Sequence, residues 1–169
     1  MQPIDLIDHP EGGRFREVFR SAARVSTSAG ESRAALTHIY FSLRQGEVSR
    51  FHRVRSDEVW NLYQGQGLRL ITWDGSHHAP LITELSLATH DFCAVVPAGH
   101  WQAAEPISDD VLVGCTVGPG FEFADFELMD PDSKQAGWLR SVEAAMERWT
   151  GPGSASADGS RPYRFNAPV

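Results

Sequence analysis

The 169-residue chain is long enough for one domain with a buried core, and its 41% hydrophobic and 22% charged residues are typical of a globular protein. Its formal net charge of −7 argues against nucleic acid or an anionic membrane surface as the main partner. The sequence contains no long apolar run, so we expect no signal peptide and no membrane span.

Cys93 and Cys115 are the two cysteines of the chain, and each lies in an apolar run. Buried free thiols in a reducing compartment are commoner in this setting than a disulfide. We therefore predict two buried free thiols in a cytoplasmic protein.

The predicted elements begin at residues 4–7, whose apolar cluster is typical of a short helical turn or an edge segment. A loop rich in proline and glycine follows at residues 9–13, and residues 15–20 alternate as a β-strand does. Residues 21–35 are small and polar, which predicts a flexible surface loop that could act as a lid.

From residue 36 onward, short runs rich in β-branched and aromatic residues are separated by polar turns. The predicted strands cover residues 36–43, 48–54, 59–64, 67–73, 80–87, 91–96 and 111–117. Strands of this length and spacing favour an antiparallel sandwich or barrel. A further strand is predicted over residues 121–128.

The last predicted element is an amphipathic helix over residues 135–149, packed on the outside of the barrel. Leu139, Val142, Met146 and Trp149 recur at helical spacing and would share one face. Residues 1–150 are therefore predicted to form a single domain, and residues 151–169 a flexible low-complexity tail.

The stretch over residues 46–65 contains the candidate site. His52 ends one predicted strand and Glu58 begins the next, where alternation places Glu58, Trp60 and Leu62 on one face. A carboxylate on an apolar face is costly to bury unless it is paired. His52 is the nearest candidate partner, so we predict that the two form a catalytic acid–base couple. The competing interpretation is a buried polar pair with no catalytic role.

Two motifs resemble those of the cupin superfamily. Gly46, His52, Glu58 and Gly65 have the spacing of the first cupin motif, and residues 97–102 (PAGHWQ) resemble the second. Five blocks further resemble the small branch called cupin family 5, a domain of unknown function. These blocks are HPEGG (9–13), FHR (51–53), SDEVW (56–60), PAGHWQA (97–103) and VGPGFEF (117–123).

The resemblance implies an all-β cupin barrel, a double-stranded β-helix or jelly roll, to which the helix predicted above adds a C-terminal element. It also implies a homodimer in which barrels pair through an edge strand. Metal-binding cupins supply two histidines and a glutamate from the first motif and a third histidine from the second. Val54 and Gln102 occupy two of these positions, so only His52, Glu58 and Gln102 remain as ligands for a divalent metal ion. We therefore expect no firm cofactor.

Further side chains are candidates for contact with a substrate. They are Trp60, Trp101, Gln102, Glu122, Phe123 and Arg53. Trp101 and Gln102 are the strongest of these, because the second motif faces the barrel mouth in cupins. The alternative is barrel core for the aromatic residues, and a solvated surface position for Glu122 and Arg53.

Three functions fit these residues. The favoured one is a small-molecule enzyme with isomerase-, epimerase- or lyase-like proton transfer by His52 and Glu58. A metal-dependent, oxygenase-like cupin with His52, Glu58 and Gln102 as ligands is the first alternative. A non-catalytic cupin that binds a small ligand is the second. In each case the expected partner is a small molecule.

Overall fold

The computed structural model describes residues 5–151, which form thirteen β-strands and two short α-helices. The strands are β1 (Ile7–Asp8), β2 (Arg14–Arg20), β3 (Arg24–Ser26), β4 (Ser32–Ala34), β5 (Thr37–Leu43), β6 (Ser49–Val54), β7 (Asp57–Gln64), β8 (Gly67–Trp73), β9 (Leu81–Ser86), β10 (Cys93–Val96), β11 (Trp101–Pro106), β12 (Val111–Gly118) and β13 (Phe126–Leu128). The helices are α1 (Lys134–Val142) and α2 (Glu147–Thr150). The tail predicted over residues 151–169 lies outside the described residues, apart from residue 151.

Two antiparallel sheets form the body of the domain. One has six strands in the order β1-β2-β5-β12-β7-β10, and the other has five in the order β13-β6-β11-β8-β9. The consecutive strands β6 and β7 lie in different sheets, so the chain changes sheet between Val54 and Asp57. This arrangement confirms the predicted all-β barrel.

The interior between the sheets is filled by apolar side chains that alternate along the strands. Along β7, Glu58, Trp60 and Leu62 are buried while the intervening residues are half-buried or exposed, as predicted. The largest buried cluster consists of Phe41, Leu43, Trp60, Leu62, Leu68, Leu70, Leu85, Val96, Ala104, Val111, Val113 and Cys115.

The C-terminal helix begins where the sequence predicted. The Ser133 hydroxyl accepts a hydrogen bond from the backbone N–H of Ala136, which caps α1. The predicted single helix is interrupted at Glu143, whose backbone is extended (φ −150°, ψ 121°), before a 3₁₀ turn leads into α2. Because α1 ends there, Val142 is 47% exposed and does not join the buried face.

A second cluster packs this helical segment against the outer face of the five-stranded sheet, as predicted. It contains Phe51, Ile71, Trp73, Trp101, Ala103, Met129, Ala136, Leu139, Met146 and Trp149. Within residues 5–151, neither helix is long and apolar enough to cross a bilayer.

The structure corrects four sequence-based predictions. Residues 21–35 contain the hairpin β3–β4, where a flexible loop was predicted. Strand β11 was not predicted, because two small alanines, Ala103 and Ala104, weaken its pattern. Residues 121–128 form a 3₁₀ turn and only a short strand, β13. Cys93 is exposed because it lies on the edge strand β10, whereas Cys115 is a buried free thiol as predicted.

Candidate active site

A cavity of about 90 Å³ opens between the two sheets. Its wall is largely aromatic, being formed by Phe15, Phe41, Trp60, Phe121, Phe123 and Phe126. Titratable side chains also reach this wall: His9, Glu11, Glu17, Arg20, His52, Glu58, Cys115 and Glu122. An apolar pocket with a few convergent polar groups is typical of a small-molecule site.

His52 and Glu58 reach the cavity from opposite sheets. His52 lies on β6 of the five-stranded sheet and is 2% exposed, while Glu58 lies on β7 of the six-stranded sheet and is 6% exposed. The structure therefore brings the two predicted residues to one cavity. Neither is the hydrogen-bond partner of the other, since each binds a different side chain.

The partner of His52 is Glu11. Nδ1 of His52 lies 2.8 Å from the carbonyl oxygen of Arg50, and Nε2 lies 3.1 Å from Oε2 of Glu11. A carbonyl oxygen only accepts, so Nδ1 must carry a proton. Nε2 lies at ion-pair distance from the Glu11 carboxylate, and it carries a proton only when the imidazole is doubly protonated.

Glu11 is held by a rigid loop between β1 and β2. Its Oε1 accepts a hydrogen bond from the Ser49 hydroxyl at 2.8 Å, and its backbone carbonyl accepts one from the N–H of Arg50 at 2.8 Å. Gly12 follows with φ of 110°, a conformation that L side chains rarely adopt, and a Cβ there would collide with the carbonyl oxygen of Val48. The glycine thus lets the loop lie directly against β6.

Burial and the neighbouring charges have opposite effects on the pKa of Glu11. Burial alone would raise its pKa, but the nearby imidazoles of His52 and His9 and the Ser49 hydroxyl bring the pKa below its ordinary value. His9 Nδ1 lies 3.2 Å from Oε2 of Glu11 but lacks the geometry of a hydrogen bond. Burial lowers the pKa of His52, and the Glu11 charge only partly opposes this shift. His52 therefore gives up its second proton more readily than an ordinary histidine.

The pKa of Glu58 is shifted upward, in contrast to those of Glu11 and His52. Its Oε2 accepts a hydrogen bond from the amide nitrogen of Gln102 at 2.5 Å, and Gln102 Oε1 accepts one from Trp60 Nε1 at 2.9 Å. Burial raises the pKa of Glu58 to about 7, and the charge of Glu11 adds to the rise, although Gln102 and the Cys115 thiol oppose it. A carboxyl group with this pKa can take up or release a proton near neutral pH.

The three candidate metal ligands do not fit a metal ion. The Trp60 indole can only donate, so Gln102 must turn its oxygen toward Trp60 and its nitrogen toward Glu58. An amide nitrogen that carries two protons has no lone pair for a metal. His52 Nε2 is already engaged by Glu11. Within residues 5–151 no group of three or more His, Cys, Asp or Glu side chains has the arrangement of a metal site.

Only some of the other predicted contact residues line the cavity. Trp60, Phe123 and Glu122 line the cavity, and Glu122 forms an ion pair with Arg20 at 2.8 Å near its mouth. Gln102 lies behind Glu58, to which it donates.

Trp101 and Arg53 lie away from the cavity lining. Trp101 is adjacent to Gln102 on β11, so its side chain points to the opposite face of the sheet and packs in the outer cluster. Arg53 covers the Trp101 ring at 4.5 Å and pairs with the exposed Glu127. The expectation that both residues contact a substrate is therefore corrected by their position.

Five titratable residues of the cavity had no predicted role in the site: His9, Glu11, Glu17, Arg20 and Cys115. The loop that contains His9 and Glu11 was seen only as one of the five family blocks. Two ionisable residues followed by paired glycines are the signal that could have identified it as a fixed, functional loop.

Comparisons with known proteins agree with this architecture. The family described as Cupin superfamily (DUF985) matches residues 1–129. A structural-genomics protein from Shewanella oneidensis is 33% identical over 87% of this chain and 92% of its own, with a TM-score of 0.75. A hypothetical protein from Leishmania major is 27% identical over 83% of this chain and 88% of its own, with a TM-score of 0.71.

A more distant neighbour, a cupin 2 domain-containing protein from Halorhodospira halophila, is 15% identical over 90% of this chain and 89% of its own, with a TM-score of 0.53. At this identity the likeness shows the fold alone. Among curated proteins, no sequence matches this chain.

Proposed function

This chain belongs to the DUF985 family of the cupin superfamily, and from that premise we propose that it is an enzyme that moves protons on a small carbonyl compound. The reaction is of the isomerase or epimerase type and uses the side chains of the barrel. The observation that supports this proposal is the meeting of Glu58 and the His52–Glu11 pair in one aromatic cavity.

The two sites have complementary roles in such a reaction. The Glu58 carboxylate removes a proton from the carbon beside the carbonyl group. The electron pair of that C–H bond forms a carbon–carbon double bond, and the π pair of the carbonyl group moves to its oxygen. The His52 imidazolium, paired with Glu11, passes its Nε2 proton to that oxygen, which gives a neutral enol, or an enediol where the deprotonated carbon bears a hydroxyl group. Return of a proton to the other face of the same carbon, with the enol proton going back to His52, completes an epimerisation. In an enediol, protonation of the former carbonyl carbon with loss of the other hydroxyl proton completes an isomerisation.

The pKa directions support these roles. Burial raises the pKa of Glu58 to about 7, which makes its carboxylate a stronger base than an ordinary glutamate. The lowered pKa of His52 makes its imidazolium a stronger acid than that of an ordinary histidine. Phe126 stacks on the His52 ring with centroids 5.5 Å apart, which keeps the imidazole fixed and dry.

The test is solvent exchange, which does not require the natural substrate. The protein is incubated in D₂O with a panel of small hydroxy ketones and amino ketones, and NMR follows deuterium entry beside the carbonyl group. We expect exchange with at least one compound, and we expect His52→Ala and Glu58→Gln each to slow it by about 10²–10⁴-fold.

Glu127→Gln is the matched control, because Glu127 is exposed and lies outside the cavity lining. Its exchange rate should equal that of the wild type. Exchange that survives both site variants would contradict the proposal. Ligand binding without exchange by any compound would favour the non-catalytic binding cupin instead.

We also propose a homodimer that forms through the edge strand β1. Ile7 on this strand is 64% exposed, and Phe19 on the adjoining strand β2 is 51% exposed. An exposed apolar edge strand is a template for pairing with another chain. Light scattering of the purified protein tests this, and a monomer at all concentrations would contradict it.

A further inference from the structure

The charge of the cavity wall restricts the molecule that the cavity can bind. Of the described residues along this wall, Glu11, Glu17, Glu58 and Glu122 are carboxylic, and only Arg20 carries a permanent positive charge. The buried carboxyl groups of Glu11 and Glu58 therefore give this wall a negative charge. Among the described wall residues, only Arg20 could attract an anionic ligand by a permanent positive charge.

Arg20 uses four of its five N–H donors within the protein. Its Nε and Nη2 donate to the two carboxylate oxygens of Glu17 at 3.0 and 2.8 Å, and its Nη1 donates to Glu122 at 2.8 Å. Nη2 also donates to the carbonyl oxygen of Phe121 at 3.2 Å. The guanidinium group thus has two carboxylates for one positive charge and is not available to a substrate anion.

The aromatic part of the wall also favours a positively charged ligand. The faces of aromatic rings attract cations, most strongly where water is excluded. Phe123 and Phe126 stand beside His9 and His52 in the wall, with stacked ring pairs whose centroids are 6.0 and 5.5 Å apart. Rings and carboxylates together form the kind of surface that attracts a small organic cation.

We propose that the ligand of this cavity is a small organic cation of the ammonium type, recognised by the carboxylates and the aromatic rings. The inference rests on the proposed function in taking the cavity as the substrate site, and it narrows the substrate to an amine-bearing compound. An amino ketone has both the cation and the carbonyl group that the proposed reaction needs.

The test compares three probes of similar size and different charge: ethylammonium, ethanol and acetate. Each is titrated into the whole protein at constant ionic strength, with potassium chloride as the balancing salt, and binding is followed by NMR. A probe with three non-hydrogen atoms reaches a Kd of about 1 mM at best. We expect ethylammonium to bind about tenfold more tightly than ethanol, and acetate more weakly still.

Two variants test the two sources of recognition. Phe123→Leu removes a cavity ring and should weaken ethylammonium binding several-fold, whereas Phe92→Leu, at a residue 44% exposed and outside the lining, should not. The double variant Glu17→Gln plus Glu122→Gln leaves Arg20 without a carboxylate. It should weaken ethylammonium binding and strengthen acetate binding. These mouth residues are partly exposed, so the variant should fold.

Acetate or ethanol binding as tight as that of ethylammonium would overturn the inference, as would the absence of ethylammonium binding at about 100 mM. The proposed enzyme function is refuted by a different outcome from the one that refutes the cation site. If ethylammonium binds but no amino ketone exchanges deuterium, the cation site stands and the enzyme proposal falls. If only uncharged ketones bind and exchange, the enzyme proposal stands and the cation site falls.

Discussion

Nε2 of His52 lies 3.1 Å from Oε2 of Glu11, so the imidazole at the end of β6 is paired with a carboxyl group from the N-terminal loop. The other ring nitrogen donates to the Arg50 carbonyl oxygen, so Nε2 is the position that gains or loses the second proton of the imidazole. Glu58 lies outside this pair, with Gln102 as its hydrogen-bond donor, and the charge of Glu11 contributes to its raised pKa. The cavity therefore contains two separate proton sites.

Glu11→Gln should lower the free energy of unfolding by about 2 kcal/mol at neutral pH, because it breaks a buried charged hydrogen bond. The pKa of Glu11 is lower in the folded than in the unfolded protein. Its stabilising contribution is therefore present above its unfolded pKa and is lost as the pH falls through its folded pKa. Urea unfolding at several pH values should show a flatter acid limb for this variant.

The control for that measurement is Glu127→Gln, whose exposed ion pair with Arg53 should contribute little. An equal loss of stability in both variants would show that the buried position of Glu11 has no special role.

Glu58→Gln should stabilise the protein at alkaline pH. A folded pKa of about 7 in place of 4.5 means that the folded state keeps a proton that the unfolded state has lost. Stability therefore falls as the pH rises between these values, by about 3 kcal/mol in total. Urea unfolding should show the variant to be more stable than the wild type at about pH 8 and nearly equal at about pH 4. A constant difference across that range would contradict the shift.

Gln102→Leu should destabilise the protein by about 2–3 kcal/mol, since it leaves the Trp60 N–H and the Glu58 carboxyl group without their buried partner. The pKa of Glu58 should rise further, because the Gln102 donor lowers it. Gln64→Leu, at an exposed residue of the same strand as Glu58, is the control and should be nearly neutral. Thermal unfolding measures the difference, and equal melting temperatures would refute the hydrogen-bond chain.

The two thiols should react at very different rates. Cys93 is exposed, whereas Cys115 is buried and its pKa lies well above the ordinary value because of burial and the Glu58 charge. A thiol reagent should therefore modify one cysteine rapidly in the folded protein and the second only after unfolding. Cys93→Ser should remove the rapid phase. A rapid phase that persists in this variant would place Cys115 in contact with solvent.

Local patterns were sufficient to predict the main strands and the faces of β7, because period-two alternation directly reflects burial. They could not show that Trp101 and Gln102 lie on opposite faces of the sheet, because the whole second motif was assigned to the barrel mouth. Adjacent strand residues point to opposite faces, and only the pairing of β11 with β6 and β8 shows which one is inside.

The pairing of His52 with Glu11 could not be predicted for a different reason. The carboxyl group belongs to a loop remote in sequence, and its position depends on how that loop packs against β6. Similarly, helical periodicity placed Val142 on the buried face, but the extended backbone at Glu143 ends α1 before that face continues. Such breaks depend on tertiary packing rather than on local spacing.

The most direct test of the account is the titration of Glu58 itself. Carboxyl carbons of ¹³C-labelled glutamate are followed by NMR across neutral pH, and Glu58→Gln identifies the signal. We expect a midpoint near pH 7, because burial raises the pKa of Glu58 to about 7. A midpoint near the ordinary value of 4.5 would mean that Glu58 is solvated, and the proposed proton transfer would then lose its base.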